Sequence, residues 1–210
     1  MSVVEEERTG DEASARPSTA RDHFDSDAWR ASLRNDMSRT LDDPRWASGL
    51  MAIGWLHLAA FLACEILADP IPKRDFRFPA IWFAELVGVF VVMRLLVGPG
   101  WARRGEAVRL TVKLWTTFLI LSFNVVALNS LIGFERTWFK PVWGTLSTFF
   151  LATLAWLFTP LFFIPAVQMW LTGLMMVQFP NHAYLTYGVS WWLALTGAAL
   201  CIQRARRPAG

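Results

Sequence analysis

The chain has 210 residues, of which 54% are hydrophobic and only 18% charged, and its mean hydropathy is +0.35, too apolar for an ordinary water-soluble domain. The formal charge of +3 does not point to a nucleic-acid partner, because the basic residues gather at the ends of apolar runs, where they set membrane orientation. The two cysteines, Cys64 and Cys201, stand in no metal-ligand spacing and imply neither a disulfide framework nor a thiolate metal site.

Residues 1–44 mix acidic, basic, Ser and Pro residues with few large apolar groups. Such a composition cannot bury enough surface to offset its ordering entropy, so a largely disordered tail is expected. Within it, Trp29, Leu33, Met37 and Leu41 recur every four residues, with Arg30, Arg34 and Arg39 between them. That spacing predicts a helix over 26–41 with one apolar stripe, suited to lie on a membrane surface with its arginines against anionic headgroups. Glu5 to Glu7 and the lack of an apolar run before Trp46 argue against a cleaved signal peptide.

A helix rises about 1.5 Å per residue and a bilayer core is about 30 Å thick, so each crossing needs roughly 20 apolar residues. On that measure residues 45–204 form an all-α, polytopic membrane bundle of six spans: about 46–68, 79–98, 110–133, 142–159, 161–179 and 184–203. From Pro141 to Gln203 there is no Asp, Glu, Lys or Arg. The fourth and fifth spans are short and meet at Thr159-Pro160, so a five-span chain with 142–179 as one bent or re-entrant element is the competing topology. Residues 205–210 form a basic C-terminal tail.

Small residues mark faces for close helix contact: Ala52, Ala59 and Ala63 in the first span, Ala80, Ala84 and Gly88 in the second, Ser190, Ala194, Ala198 and Cys201 in the last. Trp46, Trp82, Trp101, Trp138, Trp143, Trp191 and Trp192 lie near predicted span ends and read as interfacial anchors. Six crossings with both termini in the cytoplasm leave eleven Lys and Arg inside, among them Arg103, Arg104, Arg204, Arg206 and Arg207, against five outside.

Ionisable groups within a span are costly and therefore candidates for function. Arg94 and Lys113 sit close enough to span ends to reach the interface. Glu85 lies about six residues into the second span, roughly 9 Å deep, and requires a partner, a proton or a wet cavity. Asn124, Asn129 and Arg136 are the partners the sequence offers it. His57, in the middle of the first span, reads as a packing histidine, because His182 is at the wrong depth to share a haem. Gln168 and Thr172 share a face of the fifth span and are expected to reach Asn124 or Asn129. Glu85, Asn124, Asn129, Gln168 and His57 thus form the candidate polar cluster.

No nucleotide-binding, dinucleotide, zinc-protease or serine-hydrolase motif is present. No cofactor or metal is expected, nor a nucleic-acid partner; the expected partners are the lipid bilayer and other membrane proteins or a second copy. The leading expectation is a non-enzymatic accessory, scaffold or assembly component. Its alternative is a small proton- or cation-coupled transporter using Glu85 with the polar faces of spans three and five. Convergence of those residues on one cavity would separate the two.

Overall fold

The computed structural model describes residues 25–67, 77–132 and 136–205, without the side chains of 129–139. Within them the chain is helical, with α1 at Ser26–Leu41, α2 at Pro44–Ile66, α3 at Arg77–Leu96, α4 at Glu106–Ile132, α5 at Arg136–Leu157, α6 at Phe163–Gln178 and α7 at Ala183–Ala205. Single turns of 3-10 helix at Trp101–Arg103, Pro160–Phe162 and Pro180–His182 make the tight connections.

Helix ends follow local chemistry. Asp25 accepts hydrogen bonds from the amides of Asp27 and Ala28, both at 3.0 Å, to start α1. Asp43 accepts from Arg45 N at 3.0 Å, and Pro44 in the first turn of α2 supplies a fixed φ without losing a needed donor. After α3, Gly98 and Gly100 take φ of 108° and 71°, a left-handed backbone that a side chain would strain.

Helices α2 to α7 alternate in direction. Gly54 meets Leu195 and Thr196, Gly188 meets Phe61, and Leu185 N bonds Glu65, which fixes α2 and α7 as a full-length antiparallel pair. Gly49 against Met93 and Gly88 against Leu56 do the same for α2 and α3. Gly144 lies against Gly173, placing α5 and α6 back to back. The break at Phe158–Phe162 therefore reverses the chain, so that 142–179 is a helical hairpin and not one bent helix. Five helical segments are long and apolar enough to cross a membrane by composition. The sixth, α5, has 22 residues, sufficient length at 1.5 Å per residue, but Arg136, Lys140 and Pro141 in its first turns lower its hydropathy.

Two expectations about packing are corrected. The small-residue face of α2 packs only in part: Ala59 is exposed and Ala52 and Ala63 are half-buried, whereas Gly49, Gly54, Ala60 and Cys64 are buried. On α3, Ala80 and Ala84 are likewise exposed, and Gly88 alone of that set makes the close contact. Nor are the tryptophans chiefly interfacial anchors. Trp46, Trp101, Trp143 and Trp191 are buried in the bundle, while Trp55, Trp156 and Trp170 are exposed; Trp138 lies outside the described side chains. Large rings fill the space between helices that small residues bring only locally into contact.

The apolar stripe of α1 is turned into the protein. Leu33 is 0% exposed, and Trp29 and Met37 pack on the same core as Phe158 and Ala107. Asp36 Oδ2 accepts from Ala107 N at 2.8 Å, so α1 supplies the first turn of α4 with the cap its own sequence lacks. The polar face, with Arg30 and Arg34, remains exposed. The expected disordered segment before Asp25 lies outside the described residues.

Candidate functional site

The cluster expected from sequence resolves into separate pairs. His57 is 13 residues from the start of α2 and Glu85 eight from the start of α3, about 20 Å and 12 Å along their helices. The antiparallel packing brings them together: His57 Nδ1 and Glu85 Oε1 share a short hydrogen bond, with side chains 16% and 11% exposed. Glu85 therefore finds its partner in His57, not in Asn124, Asn129 or Arg136. The reason is register, since Gly49 and Gly88 let α2 and α3 approach with those two positions opposed.

Aromatic rings enclose the imidazole. Phe61, Trp191 and Tyr187 have centroids 4.6, 5.8 and 5.9 Å from it. Its Nε2 is buried and has no hydrogen-bond partner among the described residues. The His57–Glu85 pair can fix the α2–α3 contact and can exchange one proton. No group of three potential metal-binding side chains occurs among the described residues.

A second polar group joins α6 to α7. Gln168 Nε2 donates to Ser190 O at 2.8 Å, and the Thr172 and Ser190 hydroxyls lie 2.6 Å apart. Gln168 therefore bonds α7 and not Asn124. A third group, Ser147 Oγ and Tyr187 Oη at 2.8 Å, joins α5 to α7. Each of these is satisfied by its neighbour, as polar groups within a bundle must be.

Asn124 belongs to none of them. It is exposed on the outward side of α4, together with Lys113, Thr117 and Ile120, and makes no hydrogen bond to a described residue. Only 6% of the most apolar window of α4 is buried. Asn129 lies outside the described side chains.

Of the basic residues expected at an interface, Arg104 does structural work: Nη1 donates to Asp43 Oδ2 at 2.9 Å and Nη2 to Val97 O at 2.7 Å. It thus ties the end of α3 to the start of α2. The Arg45 amide, with Arg104 beside it, holds the Asp43 carboxyl below its ordinary value. Arg103 and Arg204 are exposed, and Arg206 and Arg207 lie outside the described residues. At the opposite end Glu65 accepts from Leu185 N at 3.0 Å and faces His182 Nδ1 at 3.2 Å, holding the first turn of α7.

Tyr187, Trp191 and Ser147, which surround or support the His57 site, were not singled out for it by the sequence. The aromatic spacing of Tyr184, Tyr187 and Trp191 along one side of α7 was the available signal, but such a stripe reads equally as core.

The fold and these intramembrane polar pairs define a multi-pass integral membrane protein of the all-α class. Comparison with family models, with curated proteins and with solved structures returns no match, so the functional reading rests on the chain's own chemistry.

Proposed function

We propose that the protein is a non-enzymatic component of a membrane assembly, and that the outward side of α4 is where a partner helix docks. The observation that carries this reading is Asn124. It lies 18 residues from the start of α4 and eight from its end, about 12 Å from the nearer end, beyond the reach of so short a side chain to the interface. Hydrocarbon cannot satisfy its carboxamide, whereas an adjoining helix can. The pairing of His57 with Glu85, and of Gln168 and Thr172 with Ser190, supports the same reading, because these groups serve helix contacts and do not share a space. On this reading the α1 end, with Arg30, Arg34, Arg103 and Arg109, faces the cytoplasm.

The test is a single cysteine at position 124, in a chain whose own cysteines are replaced, treated with a bifunctional maleimide in native membranes. Adducts heavier than the 23.8 kDa chain are expected, and Asn124→Leu should shift the solubilised protein toward the monomer. A chain that stays monomeric in both assays defeats the proposal.

The second reading, proton-coupled transport, draws on the His57–Glu85 pair. It requires a proton flux in liposomes that Glu85→Gln abolishes.

A further inference from the structure

Beside the outward side of α4, its junction with α5 opens as a shallow surface crevice of about 30 Å³, walled by Leu114, Leu121, Leu146 and Phe149. Two threonines also line it, and neither has a free hydroxyl donor. Thr117 Oγ1 donates to Lys113 O at 3.1 Å and Thr153 Oγ1 to Phe149 O at 2.8 Å. With those donors spent on their own helices, hydrocarbon lines the crevice. From Leu114 to Leu121 it runs about 10 Å along α4, parallel to the direction in which a lipid chain lies.

The charge at its mouth is specific. Lys113 is one turn above Thr117, about 40° around the helix from it, and Arg109 is one turn further on; both are exposed. On α5, Trp156 is exposed one turn beyond Thr153 and packs edge-on against Phe163 at 5.3 Å. The nearest acid on α4, Glu106, accepts from Trp29 Nε1 at 3.5 Å, one turn away from Arg109.

From this juxtaposition we infer that the crevice binds one anionic membrane phospholipid, its acyl chain between α4 and α5 and its phosphate held by Lys113 and Arg109. Two cations above a short apolar crevice suit a lipid of net negative charge over a zwitterionic one.

The test offers the purified full-length protein equal phosphatidylglycerol and phosphatidylcholine in mild detergent and reads retained lipid by native mass spectrometry. One phosphatidylglycerol per chain is expected. The double variant Arg109→Gln/Lys113→Gln should lower its retention roughly tenfold, since each basic group near a membrane surface contributes to anionic-lipid affinity. Arg94→Gln, which removes an exposed charge at the same end from α3, should leave retention unchanged. Thr153→Phe, which fills the slot, should lower it with Arg109 and Lys113 intact. Equal retention of the two lipids, an equal loss in Arg94→Gln, or a second protein chain in place of lipid would each overturn the assignment. The exposed charge variants decide it even if Thr153→Phe fails to fold.

Discussion

Gly144 and Gly173 bring α5 and α6 into backbone contact, and they do so unequally. A Cβ on Gly144 would stand 2.6 Å from Gly173 Cα and 2.9 Å from its nitrogen, whereas a Cβ on Gly173 would meet Pro141 O at 3.5 Å and Gly144 Cα at 3.6 Å. Backbone cannot swing aside as a side chain can, so Gly144→Ala must push the helices apart, at a cost of about 2 kcal/mol. Gly173→Ala fits at ordinary contact distance and gains helix propensity of up to about 1 kcal/mol. Thermal unfolding in detergent, followed by tryptophan fluorescence, should therefore move down for the first substitution and level or up for the second. A matching loss in both would contradict the geometry.

The His57–Glu85 pair makes a prediction about coupling. Removing one partner leaves the other buried without its hydrogen bond, so Glu85→Leu and His57→Phe should each lower stability by about 3 kcal/mol. Removing both leaves no orphaned polar group, and the double variant should be more stable than either single one. A double-mutant cycle by chemical unfolding in mixed micelles measures this; strictly additive losses would show that the two side chains do not depend on each other.

Acid should weaken the junction of α2 with the α3–α4 connection. The Asp43 carboxyl is held low first by the Arg45 amide and then by the Arg104 guanidinium. A depressed carboxylate contributes stability that is present above its unfolded value, near 3.8, and is lost as pH falls through the lower folded value. Asp43→Asn keeps a helix cap but not the charge. Its melting temperature should lie below that of the parent at neutral pH, and the gap should close as pH drops below 3.8. A gap independent of pH would assign the effect to capping alone.

The helices were legible in the sequence because lipid imposes a length and forbids most charge. Asp43-Pro44, Gly98-Pro99-Gly100, Thr159-Pro160 and Phe179-Pro180 punctuate the apolar runs, and the observed ends of α2, α6 and α7 follow from them. The four-residue recurrence of Trp29, Leu33, Met37 and Leu41 likewise marks the buried stripe of α1. What lies against that stripe was not legible. The same amphipathic pattern serves a membrane surface or a helix end, and the Asp36–Ala107 bond spans 71 positions.

Hydropathy and helical period thus determined by themselves that the chain crosses a membrane, about where, and that Glu85 and Asn124 are costly residues. Tertiary structure decided which cost is met. Glu85 is satisfied because antiparallel register sets it opposite His57, and Gln168 because α7 returns beside α6 with Ser190 O in reach. Asn124 is turned outward. Spacing along one helix gives the face a residue shares, but the partner of that face depends on helix register and rotation. Those are set by contacts such as Gly144 on Gly173 and Gly88 on Leu56, between positions far apart in the chain.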